Sequence, residues 1–411
     1  MNQTIKQIPG GVTAAKGFEA AGVSAEIKYK NRNDMAIVYS SVPCVVAGTF
    51  TMNVVKAAPV KWDQEVLHQS LYAQAIIINS GIANACTGLE GYGYCKETAV
   101  KASQLLDIPE NAVLVGSTGV IGKQLPMDRV KAGIVKLVKD KDAGIAAGTS
   151  AAKAIMTTDT CEKEIAVTID IKGKKVTIGG MAKGSGMIHP NMCTMLSFVT
   201  TDAVIAKETL QKALSEDVDD TYNMISVDGD TSTNDTVLLL ANGLAQNEEI
   251  QEDTKEYVLF TQALRQINEY LAKKIAGDGE GATALFEVKV VGAESKEQAK
   301  LLSKAIVTSN LTKTAIAGHD ANWGRILCAM GYSGAQFDPE QVDLSFESQG
   351  GSIQIIKNGV ATSYSEEAAT KILSEPKVTA IADVKMGTQE AVAWGCDLTY
   401  DYIKINADYR S

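Results

Sequence analysis

A layered mixture of helices and strands, α/β with α+β layering, is the fold class this chain predicts, and three observations carry the prediction. Short apolar runs bounded by Gly, Asn or Pro read as buried strands. Segments with apolar residues three or four apart read as helices between them. The two kinds mix throughout, without the steady βαβ rhythm of a doubly wound sheet. The chain has 411 residues. A length of this order sets a prior of about two to three domains and lets roughly 75% of the unfolded surface be buried without staples.

In chain order, residues 36–39, 44–47, 75–78 and 113–115 are expected as strands. Residues 96–106, rich in Ala, Lys and Leu, form a helix. A second helix follows Pro126 and Asp128, with Val130, Ile134, Leu137 and Val138 on one face. Residues 165–169 and 176–178 flank Lys172-Gly173-Lys174, a hairpin by its turn residues. Residues 236–240 read as a buried strand, and 246–254, the most polar interval, as a surface linker. Phe260, Leu264, Ile267, Leu271 and Ile275 step along a long amphipathic helix. Residues 286–290 alternate as a half-exposed strand does, and the tail from 341 to 402 holds strands plus one helix near 366–373.

The composition is 45% hydrophobic and 21% charged, with a formal net charge of −10. That sign argues against a general binder of nucleic acid or anionic membrane. The seven cysteines are scattered, and no two of them form a Cys-x-x-Cys. Reduced thiols of a cytoplasmic protein are expected. With three histidines and no His-Glu-x-x-His spacing, no metal site is expected. No run of 18 apolar residues exists to span a membrane, and the first residues lack an apolar signal core.

The most informative segment runs from Lys183-Gly184-Ser185-Gly186 to Asn191-Met192-Cys193-Thr194 and then into a mostly apolar run, 195–199. It places one threonine where a glycine-rich approach, expected to be flexible, hands over to a buried strand. A hydroxyl there can attack the preceding carbonyl, cut the chain and emerge as an N-terminal threonine. That residue then carries a nucleophile and its own general base. Residues 179–186 do not have the register of a phosphate-binding P-loop. They are a loop by default, with Lys183 able to reach a carboxylate.

Four further segments can carry chemistry, although a plain turn is the default for each. Residues 116–122, Gly-Ser-Thr-Gly-Val-Ile-Gly, follow a strand and can aim hydroxyl and N–H groups at an oxyanion. Residues 278–283, Asp-Gly-Glu-Gly-Ala-Thr, end the long helix, and Glu280 between two glycines is expected to be an exposed carboxylate that could hold an ammonium group. Residues 79–86 and 228–235 gather small polar side chains at strand ends.

Together these segments resemble the arginine-biosynthesis glutamate N-acetyltransferase family, also called ornithine acetyltransferase. The resemblance spans the chain from Lys16-Gly17-Phe18 to the end at Ser411. Its most specific pieces are 184–196, 226–235, 278–283 and Asn322-Trp323-Gly324-Arg325. It implies a self-processing N-terminal-threonine acyltransferase fold like that of the ornithine acetyltransferase/DmpA-like group. It also implies cleavage between Cys193 and Thr194 into an α chain, 1–193, and a β chain, 194–411, in a heterotetramer of two α and two β chains.

By the same resemblance Thr194 is the nucleophile and Thr118 and Gly119 form the oxyanion pair. Thr157, Lys183, Thr194, Glu280, Asn406 and Ser411 bind the substrates, N2-acetyl-L-ornithine and L-glutamate. Acetyl passes from the first to the second through an acetyl-threonine, with no cofactor. Some members also use acetyl-CoA as a donor and are then amino-acid N-acetyltransferases as well, although no CoA signature stands out here. Departures from the common pattern are Cys193 for the usual alanine, Ile82 for asparagine, and Ala284 for lysine. Two other readings fit the same residues: an amidohydrolase or aminopeptidase of the same self-cleaving fold, with water as acceptor, and an uncut scaffold that binds amino acids.

Overall fold

A computed structural model describes residues 4–189 and 195–408. The strands of the first half are β1 (Lys6–Ile8), β2 (Phe18–Val23), β3 (Met35–Phe50), β4 (Ala73–Ile82), β5 (Val113–Val120), β6 (Lys163–Ile171), β7 (Lys174–Lys183) and β8 (Leu196–Thr201). Those that follow are β9 (Ile225–Ser226), β10 (Thr236–Ala241), β11 (Leu285–Ala293), β12 (Asp343–Ser348), β13 (Gly351–Lys357), β14 (Val360–Ala361), β15 (Lys377–Asp383) and β16 (Gln389–Cys396). The helices are α1 (Ala58–Gln69), α2 (Gly88–Leu106), α3 (Met127–Asp140), α4 (Ile145–Ala154), α5 (Lys207–Asp220), α6 (Lys255–Gly277), α7 (Lys296–Thr308), α8 (Asn310–Ala317), α9 (Trp323–Gly331), α10 (Glu366–Leu373) and α11 (Tyr400–Asp408).

Among the described residues two mixed sheets form the frame. The first has the order β1-β6-β7-β8-β10-β3-β4-β5, with β2 also paired to β3. The second runs β14-β13-β12-β15-β11-β16-β9. Helix α6 packs on β6 and β7 of the first sheet and on β11 and β16 of the second, so it lies between them. Helices α1 to α4 pack on the β2, β3 and β5 region.

The central strands of the first sheet are buried on both faces, which is why they read as unbroken apolar runs. In β8, Leu196 and Phe198 point into the core shared with α1 to α4, while Val199 points into the core around α6. In β10, Leu238 and Leu240 alternate in the same way with Val237 and Leu239. The expected layered α/β class, the hairpin at Lys172-Gly173 and the α6 stripe are all present. Lys172 and Gly173 both take positive φ, 50° and 82°, as a tight two-residue hairpin turn requires.

Three expectations need correction. Residues 36–39 and 44–47 belong to one strand, β3, whose register with β4 shifts between Tyr39 and Cys44. Pro43, which cannot donate to a ladder, sits exposed at that shift, where β3 passes from β2 to β10 as partner. Gly179 and Gly180 are not in a flexible loop but inside β7. A Cβ on Gly179 would stand 2.0 Å from the Gly11 carbonyl oxygen, so close backbone approach, not mobility, is what glycine supplies there. Residues 246–254 are not a free linker either. Ile250 is 1% exposed and pairs with Ile205, and Asn247 is buried with its amide accepting from Val204 N at 2.9 Å.

Candidate functional site

The pocket sits where β5, β7 and β8 end or begin. Lys183, the last residue of β7, pairs with Leu196, the first of β8, and Leu196 pairs in turn with Thr236 of β10. Met195 therefore lies beside Lys183 at the mouth of the sheet, and its carbonyl accepts from Thr236 N at 2.9 Å. An open cavity of about 130 Å³ at this edge is lined by Thr118, Gly119, Thr157, Lys183, Glu280 and Asn406, together with Met195 and Leu196. Cys193, Thr194 and Ser411 lie outside the described residues. All six remaining residues expected from the sequence thus meet in one place, brought from strand ends, loops and the last helix.

Thr118 and Gly119 close β5. Ser80 and Gly81 of β4 pair with them, and Gly119 takes φ +129°. A Cβ on Gly119 would lie 2.3 Å from the carbonyl carbon of Gly81. Only glycine fits this backbone-on-backbone contact at a positive φ. Behind the pair, Ser117 Oγ donates to Asn79 Oδ1 at 2.6 Å. Asn234 Nδ2 donates to the carbonyl oxygens of Ser117 (2.7 Å) and Ala83 (2.6 Å), holding the strand end against the 228–235 segment.

Lys183 Nζ donates to Thr157 Oγ1 at 2.9 Å and to Thr118 Oγ1 at 3.4 Å. Its side chain is nearly buried. Burial pushes the ammonium below the ordinary lysine value; Asp159, and more weakly Glu280 and Asp235, pull it up, while Lys163 pushes it down. Asp159 is the residue that the sequence analysis missed. Its carboxylate stands 3.8 Å from Lys183 Nζ and accepts from Lys163 Nζ at 2.8 Å. Burial alone would raise its pKa, but the two lysines hold it well below the usual carboxylate range. Nothing in the run Thr157-Thr158-Asp159 marks it out, because its partners come from β6 and β7.

Glu280 is 9% exposed, so the expectation of an exposed carboxylate is corrected. Its backbone N–H is bound to the Ser185 carbonyl (2.9 Å), and its carboxylate lies where a Cβ on Gly186 would fall, at 2.4 Å. Gly186 thereby lets the carboxylate lie against the chain. Asn406 Nδ2 donates to Glu280 Oε2 at 2.8 Å. Asp228 accepts from the N–H groups of Met187 and Ile188 at 2.6 and 2.8 Å, and Tyr402 OH reaches the same carboxylate at 3.3 Å. The pocket therefore offers an ammonium, a carboxylate, two hydroxyls and a strand end around one cavity.

Residues 19–411 match the ArgJ family. The chain belongs to the ArgJ family. It is 53% identical over 399 residues to the arginine biosynthesis bifunctional protein ArgJ of Thermotoga neapolitana, covering 96% of this chain and 99% of that protein. It is 51% identical over 406 residues to the protein of the same name from Caldanaerobacter subterraneus subsp. tengcongensis, covering 98% and 99%. The crystal structure of arginine biosynthesis bifunctional protein argJ from Bacillus halodurans is 49% identical, with a TM-score of 0.50, over 52% of this chain and 99% of that one. As an ArgJ protein the chain is an acyltransferase of arginine biosynthesis, as its resemblance implied. Among the described residues no helix is long and apolar enough to cross a membrane, and the described cysteines are free thiols.

Proposed function

We propose that this pocket moves an acetyl group from N2-acetyl-L-ornithine to L-glutamate by way of an acetyl ester on Thr194. The observation that carries the reading is the convergence of Thr118, Gly119, Thr157, Lys183, Glu280 and Asn406 on one cavity beside Met195, the residue after Thr194. The Thr194 amine, free once the Cys193–Thr194 bond is cut, accepts the hydroxyl proton as Oγ attacks the acetyl carbonyl; an α-amine has an ordinary pKa of about 7.7–8.0, close to working pH. Thr118 and Gly119 stabilise the oxyanion. The C–N bond then breaks and the proton passes to the departing ornithine amine. In the second half-reaction the glutamate amine attacks the ester, the C–Oγ bond breaks, and the proton lost by that amine returns through the Thr194 amine to Oγ.

Both substrates carry an α-carboxylate for Lys183, and the Glu280 carboxylate, bridged by Asn406, suits the side-chain ammonium of ornithine. Thr157 and Ser411 complete the binding set. Cleavage gives an α chain, 1–193, and a β chain, 194–411. The half-length chain of the Bacillus halodurans structure, matched over 99% of its own length, supports two pieces. After cutting, the pieces stay joined, because β8 pairs with β7 and β10 with β3 across the junction.

The bifunctional names of the relatives support acetyl-CoA as a second acetyl donor, a co-substrate where no cofactor is otherwise required. A cytoplasmic heterotetramer of two α and two β chains completes the proposal. Purified protein incubated with N-acetylornithine releases ornithine in proportion to added glutamate. Acetate release without glutamate would favour the hydrolase instead, and no ornithine from processed protein would overturn the reading. Release of free CoA thiol from acetyl-CoA on adding glutamate tests the second donor.

A further inference from the structure

We propose that Asp159 is a positioning residue of this pocket: its buried carboxylate holds the Lys183 ammonium at the wall and, through Lys163 and Asp278, fixes the loop that carries Glu280. The inference rests on the acyl-transfer reading, in which Lys183 and Glu280 are the substrate anchors.

Asp159 has a side chain with no exposed surface. Its Oδ1 accepts from Lys163 Nζ at 2.8 Å and from Gly184 N, the residue after Lys183, at 2.7 Å. Its Oδ2 accepts from Thr157 N at 3.0 Å and lies 3.8 Å from Lys183 Nζ. Lys163 Nζ also reaches Asp278 at 2.6 Å. The Asp278 carboxylate accepts from Thr160 N, and its carbonyl accepts from Ser185 Oγ at 2.6 Å. Charges therefore alternate along Lys183, Asp159, Lys163 and Asp278, ending two residues before Glu280.

The spacing within the chain is informative. At 3.8 Å Asp159 attracts Lys183 without taking one of its three N–H donors. Two of those donors go to the Thr157 and Thr118 hydroxyls, which leaves a direction open toward a substrate carboxylate. The other charged groups that act on Lys183 are Lys163, Glu280 and Asp235. Asp159 is thus the counter-charge that stays in place whether or not substrate is bound.

Cyanate tests this without needing acyl transfer. It adds across a neutral amine to give a urea, so the pH dependence of carbamylation, read residue by residue by peptide mass spectrometry on the processed full-length protein, reports when Lys183 loses its proton. In Asp159→Asn the half-maximal pH at Lys183 falls by about one to three units, as expected on losing an opposite charge at this range. Asp159→Glu restores it. KM for glutamate in Asp159→Asn climbs with pH and recovers toward acid, while kcat changes less. An unchanged Lys183 profile in folded Asp159→Asn overturns the proposal. Should that variant not fold, Lys163→Met removes the competing cation and must move the half-maximal pH upward; an unchanged or lower value overturns the proposal equally. Absence of ornithine release by the unmodified enzyme would instead strike the acyl-transfer reading and leave the carbamylation result to judge Asp159.

Discussion

Asn406 Nδ2 and Glu280 Oε2 meet at 2.8 Å although 126 residues separate them, and this one hydrogen bond ties the C-terminal helix to the wall of the pocket. Helix α11 buries no residue of its own, and Tyr402 OH, 3.3 Å from Asp228, gives it a second polar tie. Asn406→Ala removes a donor to a charged acceptor, an interaction of about 1.5–3 kcal/mol. The expected result is a loss of roughly 10- to 100-fold in kcat/KM for N-acetylornithine, with the melting temperature lowered by a few degrees. Steady-state ornithine release and thermal unfolding check both halves.

Gly119→Ala is expected to damage stability and activity together. The new methyl would collide with the Gly81 backbone at a φ of +129°. A side chain forced into such a region costs on the order of 1–3 kcal/mol before the clash is counted. A urea midpoint equal to that of the unsubstituted protein would refute the close packing of β4 and β5 at this point.

In the proposed reaction both cutting and acetyl transfer depend on the Thr194 hydroxyl, which Thr194→Ala removes. A denaturing gel should show one band of full length where the unsubstituted protein shows two, and ornithine release should fall to background. Two fragments from Thr194→Ala would mean that another group cuts the chain.

His189 supplies a pH signature. Burial, with Lys304 adding to it, depresses its pKa from the ordinary 6.5 to about 4. Between those values the unfolded chain binds a proton that the folded protein does not. Stability from this group is therefore fully present above 6.5 and is lost as pH falls toward 4. His189→Gln should flatten the decline of the urea midpoint between pH 7 and pH 5 relative to the unsubstituted protein. Parallel declines in the two proteins would show that His189 is not buried neutral.

Much of this architecture was legible in the chain because local patterns matched the final burial. The four- and three-residue steps mark the α6 stripe, and all five of its residues are buried in the structure. The unbroken run in β10 was read as a buried strand because both of its faces meet core. The pocket residues Thr118, Gly119, Thr157, Lys183, Glu280 and Asn406 came from the family resemblance, not from periodicity. Helices α1, α4, α5, α7, α8, α9 and α11 were not anticipated: short or weakly patterned helices are set by packing more than by propensity.

Residue order was enough to specify which segments are helical or extended where the apolar spacing is regular, and it placed a threonine at the threshold of a buried strand. Folding in three dimensions settled matters of apposition. It buried Glu280 against Gly186, made Gly179 and Gly180 points of backbone contact inside a sheet, and lined up Lys183, Asp159, Lys163 and Asp278. The reason is physical: periodicity records which side of an element meets the core, whereas the charge state and reach of a buried group depend on partners that arrive from distant parts of the chain.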